Sequence, residues 1–249
     1  MPEPPIIRVS QTSEIEMRGF GDGQYYAIVD NFLDKPHELI SNVAAYAGNF
    51  VSEPLGHPSK GRDLTERELR EIQRFLRYRE SRKFPSFRSD MFLRSFLSNV
   101  SLKPEELSAF HRMCHIDPRI RPDRPTYAGV VYLFTNPELG GTAFYRWKNK
   151  EIPIRAYALA SRDQGAALTY LKQRTEIFRK PPKYMTTSNE IAELLTVVPA
   201  KFNRLVFYNG DIPHSAQITQ PDLLSSDPAV GRLTLNLFVS VRPNKFAAM

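Results

Sequence analysis

Two short polar segments, nearly a hundred residues apart, place the strongest constraint on how this chain folds. The first is His115-Ile-Asp117, and the second ends in Gly210-Asp-Ile-Pro-His214. Alternate residues of a strand point to the same side, so His115 and Asp117 can reach one ion from one strand end. His214 follows a predicted strand and a Gly-Asp turn, which suits the end of a neighbouring strand. If the three side chains share a metal ion, the fold must bring the two segments together.

The residue types themselves indicate which metal chemistry such a site would support. Two imidazoles and one carboxylate leave half of an octahedral ion's shell open, as in ferrous-iron oxygenases. Structural zinc sites are usually closed tetrahedra with cysteine ligands, but this chain has one cysteine, Cys114, whose side chain should point away from His115. A lone histidine is more often a packed or surface residue than a ligand, so His37, His57 and His111 are not predicted to bind metal.

The second half of the chain has the pattern of a β-protein. Strands are predicted at 127–134, 142–146, 203–208 and 233–241, with a Gly-Gly turn at residues 140 and 141. The last strand alternates leucine and valine with Thr234, Asn236, Phe238 and Ser240, which is typical of a strand with one face in a core. Residues 147–198 interrupt this pattern as a helical insertion, with helical spacing at 155–180 and a capping-box pattern before 191–195.

The first half is predicted to be mostly helical. Residues 1–24 are polar and irregular, and residues 25–30 form a strand. One helix is predicted from Asp34 to about residue 46, with Pro36 in its first turn. A second helix, at 64–82, has apolar residues along one side and four arginines along the other: Leu69, Ile72, Phe75 and Leu76 against Arg67, Arg70, Arg74 and Arg77.

Helices followed by strands predict an α+β fold built around a small antiparallel barrel or jelly roll. We expect one domain over residues 1–249, with a strand and helices at 25–110 and the β core at 111–246, interrupted by the 147–198 insertion. One domain of this length is ordinary. The oligomeric state is left open.

Composition and charge narrow the possible partners. The net charge of +7 and pI of about 9.5 fit a surface with surplus arginine. A single arginine stripe without interleaved aromatic residues makes nucleic-acid binding unlikely as a function. Without an apolar run of about 20 residues or a secretory leader, we expect a soluble cytoplasmic protein that acts on a small molecule or a peptide.

Several of these segments resemble the 2-oxoglutarate- and Fe(II)-dependent oxygenases, especially their prolyl-hydroxylase-like branch. The resemblance runs from about Tyr25 to Val241. It includes residues 27–33 as an opening strand, His115-Ile-Asp117, the strand 130–134 with the 140–144 turn, and residues 199–214 as the strand leading to His214. Residues 202–208 and 231–238 also resemble an uncharacterised bacterial subfamily of this superfamily.

The resemblance implies a double-stranded β-helix that binds ferrous iron and 2-oxoglutarate. It implies His115, Asp117 and His214 as the iron ligands. It also implies that Arg232 binds the distal carboxylate of 2-oxoglutarate, with Tyr132 contacting the co-substrate. Thr234, on the same strand face as Arg232, can add a hydroxyl donor. Packing in the core is an equal alternative for Tyr132.

Two departures from the prolyl hydroxylases leave the substrate open. Arg232 lies eighteen residues after His214, where many prolyl hydroxylases have a lysine about ten residues after their histidine, and the insertion is long. The insertion could cover the site as a lid through Tyr170, Phe178 and Tyr184, or pack on the outer sheet. The resemblance implies an oxygenase that oxidises a small molecule, an amino acid or a peptide. Two alternatives to this function are a catalytically silent barrel that senses a ligand or binds a partner, and a nucleic-acid-binding protein with a degenerate barrel.

Overall fold

The computed structural model of the chain describes residues 7–45, 50–52, 59–79 and 91–241. These residues form eleven strands and four α-helices. The strands are β1 (Ile15–Phe20), β2 (Gln24–Val29), β3 (Val51–Ser52), β4 (Ser59–Asp63), β5 (Met91–Val100), β6 (Thr126–Tyr132), β7 (Thr142–Trp147), β8 (Ala192–Val198), β9 (Leu205–Asn209), β10 (His214–Ala216) and β11 (Arg232–Val241). The helices are α1 (Pro36–Ala45), α2 (Glu66–Arg74), α3 (Glu151–Ala160) and α4 (Gln164–Arg174). This mixture confirms the predicted α+β class.

The strands form two antiparallel sheets. The large sheet has the order β1-β2-β9-β6-β11-β5-β4-β3, and the small sheet has the order β10-β7-β8. An antiparallel bridge between His115 and His214 adds residues 115–117 to the small sheet beside β10. The polar segment of the sequence therefore pairs with the strand that carries the distant histidine.

The two sheets are covered by helices on their outer faces. Leu39 of α1 and Ile72 of α2 share one buried cluster with the large sheet. Ala156 of α3 and Leu171 of α4 share another with Tyr145 of the small sheet. A third cluster, containing side chains of both sheets, lies between them. The result is four layers, with the N-terminal helices outside the large sheet. None of the helices in the described segments is long and apolar enough to cross a bilayer.

Strand β11 is buried on both of its faces. Its leucines and valines are almost completely inaccessible and face the helices α1 and α2. Each such side chain stabilises the fold by about 1.5–3 kcal/mol. The alternation was predicted, but the polar face does not meet water, since Thr234 and Asn236 are also buried. They line a cavity between the two sheets.

Four strands of the large sheet, β1, β3, β4 and β5, lie where none was predicted. The 1–24 segment contains β1, which forms a hairpin with β2 through a turn at Asp22 and Gly23, both with positive φ. The 25–110 segment contains β5, which pairs with β11 over ten residue pairs. Most of β5 is buried on both faces, so it lacks the alternating pattern that identifies a half-exposed strand.

The helices predicted at 34–46, 64–82 and 155–180 were correct in position but not in extent. The predicted 64–82 helix is α2, followed by a π-helical turn at Phe75–Arg79. Residues 80–82 lie outside the described range, and so does residue 46, where the first helix was predicted to end. The predicted 155–180 helix is two helices, α3 and α4. The segment predicted as a helix at 191–195 is the start of β8, because its β-branched residues pair with β7.

Asp30, directly after β2, forms ion pairs with Lys201 and Arg204, which precede β9. Arg204 donates from Nε and Nη2 to the two carboxylate oxygens of Asp30, at 2.6 and 3.0 Å. Lys201 donates to the same carboxylate at 2.7 Å. These two cations lower the pKa of Asp30 to about 2, with the Arg204 hydrogen bond as the largest cause. The role of Arg204, left unassigned from the sequence, is structural.

We expect Asp30→Asn to destabilise the protein in a pH-dependent way. The folded pKa lies below the unfolded value, so the stabilisation is complete above about pH 4 and is lost as the pH falls toward 2. Because Asp30 is one-third exposed, we expect a loss of about 1 kcal/mol at pH 7. Urea unfolding at pH 7, 4 and 2.5 measures it. The control Glu16→Gln, in an exposed pair with Arg18, should change little; a constant difference at all three pH values would contradict the prediction.

Candidate metal and co-substrate site

Backbone hydrogen bonds hold the two polar segments side by side. The amide of His115 donates to the carbonyl of His214 at 2.9 Å, and the amide of His214 donates back at 2.8 Å. The amide of Asp117 donates to the carbonyl of Gly210 at 2.9 Å. The register of this pairing places the three predicted side chains on one side of the segment.

The three side chains form a compact group. Nε2 of His214 lies 3.6 Å from Oδ2 of Asp117, and Nε2 of His115 lies 3.9 Å from Oδ1. One ligand atom of each side chain lies within 4.8 Å of the others. Nδ1 of His214 lies 2.8 Å from the Ile212 carbonyl and therefore carries the proton, which leaves the Nε2 lone pair directed at the group. This group can hold a metal ion.

Burial controls the charges of these side chains. Burial, together with the negative charge of nearby Asp211, raises the pKa of Asp117 to about 8. Burial also lowers the pKa of His214 to about 4, against the opposing effect of the Ile212 hydrogen bond. Within the described residues, Oδ2 of Asp117 accepts no hydrogen bond. A divalent cation fits this arrangement, because it would stabilise the buried carboxylate and the neutral imidazole together.

Gly210 provides the space that Asp117 occupies. A Cβ atom at residue 210 would lie 2.9 Å from the Thr126 carbonyl oxygen and 3.0 Å from Oδ2 of Asp117. Both distances are shorter than ordinary contacts, so any side chain would displace the carboxylate. The glycine of the Gly-Asp turn thus shapes the site as well as the turn.

Arg232 lies at the start of β11 and is 4% exposed. Its Nε donates to the Leu139 carbonyl and its Nη2 to the Gly141 carbonyl, both at 3.0 Å, and its guanidinium lies over the ring of Phe134. No Asp or Glu in the described segments forms an ion pair with it. Burial lowers its pKa. A buried guanidinium without an acidic partner is a ready site for an anion.

The Gly-Gly turn brings these carbonyl groups to Arg232. A Cβ atom at residue 140 would lie 1.9 Å from the Gln217 carbonyl oxygen, and one at residue 141 would lie 1.9 Å from that of Val198. Gly140 also has a φ of +87°. Only glycine allows such close approach of three chain segments, so the predicted turn is a structural requirement of the arginine's position.

The other two predicted co-substrate residues lie near Arg232 in different ways. Thr234 lines the same cavity as Arg232, and its hydroxyl lies 3.1 Å from Nδ2 of Asn236. Tyr132 is fully buried, and its hydroxyl lies 2.7 Å from Oγ1 of Thr142. Thr142 lines the cavity. Tyr132 can therefore act on a ligand through Thr142.

One cavity between the sheets connects the metal-binding group with Arg232. Its volume is about 70 Å³, several times what one water molecule needs. Several lining residues were not predicted to belong to the site: Phe110, His111, Met113, Tyr208, Asn236 and Phe238. They occur in apolar strands or short turns, where their pattern is that of ordinary core residues.

The insertion contributes to both the outer surface and the cavity. Its helices pack on the outer face of the small sheet, and Phe178 belongs to the same buried cluster. Tyr170 lies outside the cavity, between Arg155 and Arg174. Tyr184 lines the cavity and donates to the Leu102 carbonyl at 2.8 Å. The insertion thus packs on the outer face of the small sheet through its helices and reaches the cavity through Tyr184.

The remaining polar candidates have structural surroundings. His37 is exposed on α1 and stacks on Phe202. His57 lies outside the described residues. His111 lines the cavity, but its Nδ1 accepts a hydrogen bond from the Ser108 amide and it is not part of the metal-binding group. The Asn209 side chain accepts from the Asp211 amide within the turn.

Solved structures with similar folds come from several enzymes. The alpha-ketoglutarate-dependent epimerase SnoN of nogalamycin biosynthesis is 15% identical, with a TM-score of 0.44 over 89% of this chain and 82% of that one. HygX from Streptomyces hygroscopicus, solved with nickel and 2-oxoglutarate, is 11% identical, with a TM-score of 0.43 over 87% and 82%. A Pseudomonas putida prolyl-4-hydroxylase is 13% identical, with a TM-score of 0.41 over 88% and 92%. These values lie too low to carry an activity over to this chain.

Two further comparisons concern the sequence. No curated protein matches the chain. One family model matches residues 11–239, which include every strand from β1 to β10 and nearly all of β11. That span contains the metal-binding group, the cavity and both outer helical layers. The chain therefore belongs to DUF6445, a family of unknown function.

Proposed function

We propose that this protein is an Fe(II)- and 2-oxoglutarate-dependent oxygenase. The observation that carries the proposal is that one cavity is lined by His115, Asp117 and His214 and also by Arg232. An open set of two histidines and one carboxylate suits ferrous iron. A buried arginine without an acidic partner suits the distal carboxylate of a dicarboxylic 2-oxo acid. Neither feature alone indicates this activity, but their presence in one cavity does.

We further propose that the two sheets form a double-stranded β-helix. Support comes from the order in which the chain visits them. From β5 onward it runs through the large sheet, residues 115–117 of the small sheet, β6, then β7 and β8, then β9, β10 and β11. The central strands of the large sheet are then β5, β11, β6 and β9, facing four strands of the small one. This alternation is typical of a jelly roll.

The chain's own residues would place and protect the reactants. His115, Asp117 and His214 would hold iron, and Arg232 with Thr234 and the Tyr132–Thr142 pair would hold the far end of 2-oxoglutarate. Iron and 2-oxoglutarate supply the oxidising chemistry when they are bound. The buried walls exclude water from the reacting groups.

We propose a small molecule, an amino acid or a peptide residue as the substrate. The arginines of α2 are exposed, whereas its Ile72 packs on the outer face of the large sheet. The cavity lies on the opposite face of that sheet. The arginine stripe therefore faces away from the site and does not favour a nucleic-acid substrate.

Fe(II) and 2-oxoglutarate together, without oxygen, should produce a weak visible charge-transfer band. We expect His115→Ala and Asp117→Ala to abolish it, since each removes a ligand that chelation needs. The matched control His37→Ala should retain the band, because His37 is an exposed histidine on α1. Anaerobic absorption spectroscopy measures all four proteins. Admission of oxygen should then yield succinate; a wild-type band without succinate would favour the ligand-sensing alternative, and the absence of a wild-type band would refute the proposal.

Arg232→Met should weaken 2-oxoglutarate binding and leave metal binding nearly unchanged. Loss of a buried charge pair with the distal carboxylate costs about 2–5 kcal/mol, so we expect a Kd higher by a factor of about 30 or more. Arg232→Lys keeps the charge and should restore part of the affinity. Calorimetric titration of 2-oxoglutarate into the anaerobic Fe(II) form of each variant gives the Kd of 2-oxoglutarate, and titration of Fe(II) into each apoprotein gives the Kd of the metal. An unchanged Kd in a folded Arg232→Met protein would exclude this role of the arginine.

A further inference from the structure

Tyr208 lies on β9 next to the metal-binding group. It is 3% exposed and lines the cavity. The centroid of its ring lies 4.8 Å from that of the His214 ring, with an interplanar angle of 66°. It lies 4.8 Å from the centroid of the Phe144 ring, with an angle of 78°. These edge-to-face contacts fix the position of the phenol ring against a metal-binding histidine.

The hydroxyl group of Tyr208 differs from those of its neighbours. Tyr132 bonds to Thr142, and Tyr145 and Tyr184 donate to the carbonyls of Met185 and Leu102, respectively. By contrast, the Tyr208 hydroxyl makes no hydrogen bond within the part of the chain that the structure describes. Tyr208 lines the cavity, and its hydroxyl is therefore open to a partner there. A ligand in the cavity would supply the missing acceptor.

The neighbours of Tyr208 indicate where such a ligand would lie. A tyrosine hydroxyl is protonated at neutral pH and is available as a donor. Tyr208, the metal-binding group and Arg232 all line the same cavity. A ligand in that cavity that contacts the metal-binding group would also lie close to Tyr208, whose ring packs on His214.

We propose that the Tyr208 hydroxyl donates a hydrogen bond to an oxygen of the 2-oxo acid at its metal-chelating end, beside His214. This role rests on the proposed function, because it requires the 2-oxo acid to bind in this cavity. Tyr208 is then a third point of attachment for the co-substrate. It fixes the orientation of the chelating end, while Arg232 fixes the distal end.

Tyr208→Phe tests the role directly, since it removes the hydroxyl and keeps the ring that packs on His214. We expect the Kd of 2-oxoglutarate for the anaerobic Fe(II) protein to rise by a factor of about 10–100, as for the loss of a hydrogen bond to a charged group. The Kd of Fe(II) alone should change less than about twofold, because the ligands and the ring remain in place. The charge-transfer band should move to shorter wavelength, because the acceptor orbital loses a hydrogen bond. A role in packing alone would move neither quantity.

The matched control is Tyr157→Phe. The Tyr157 hydroxyl likewise has no hydrogen-bond partner among the described residues, but it is fully buried, and this residue packs against Phe110 and does not line the cavity. Thermal unfolding of both apo variants should be no less cooperative than that of the wild type, because each loses an unsatisfied hydroxyl. We expect Tyr157→Phe to leave the 2-oxoglutarate Kd and the band position unchanged.

The outcomes separate this inference from the proposed function. A wild-type band together with an unchanged Kd and band position in Tyr208→Phe would refute the role of Tyr208 and leave the oxygenase proposal intact. Equal changes in Tyr208→Phe and Tyr157→Phe would also refute it, since they would reflect a general effect of lost hydroxyl groups. If the wild type shows no band, the proposed function itself fails.

Discussion

The pairing of residues 115–117 with residues 210–214 is the interaction on which the rest of the site depends. Three backbone hydrogen bonds join segments that are far apart in the sequence. Without them nothing would hold Asp117 beside β10, and His214 would be paired only with Phe144 of β7. The pairing in turn requires Gly210, because any side chain there would occupy the space of the carboxylate. A small set of backbone contacts thus converts two ordinary polar motifs into one buried group of ligands.

The sequence was sufficient to predict the parts of the site that have distinctive chemistry. Histidine and aspartate at i and i+2, a Gly-Gly turn and an arginine opening an alternating strand are informative because they occur together in this order. The structure brings His115, Asp117 and Arg232 to one cavity, and the carbonyls of the Gly-Gly turn segment hold Arg232 there. The α+β class was equally accessible, because the helical and strand periodicities occupy different parts of the chain. The element boundaries in the insertion were less accurate, since leucine and glutamate at the start of β8 suit a helix until pairing with β7 decides the matter.

Other features could not be predicted because their signal exists only in three dimensions. Strand β5 is buried on both faces between β11 and β4, so its sequence lacks alternation and resembles any apolar segment. Tyr208 lies within an apolar strand, where a tyrosine usually serves the core. Two features distinguish it from Tyr145 on β7 of the small sheet, whose hydroxyl donates to Met185. The Tyr208 hydroxyl has no hydrogen bond to any described residue, and the Tyr208 ring contacts His214. The burial of each side chain and its hydrogen-bond partners therefore identify features of the site that composition and spacing cannot.

The chain's only thiol is one residue away from a proposed iron ligand, yet it faces the opposite side of the segment. Cys114 is completely buried in the outer cluster, where Trp147 donates to its sulfur at 3.3 Å, and burial raises its pKa to about 12. Oxidation to sulfenic acid requires an accessible thiolate. The segment thus places the proposed iron site and the buried thiol on opposite faces. Oxidation of this cysteine would require prior loss of tertiary structure. The alternation of side chains along the segment thus protects the thiol from oxidants in the cavity.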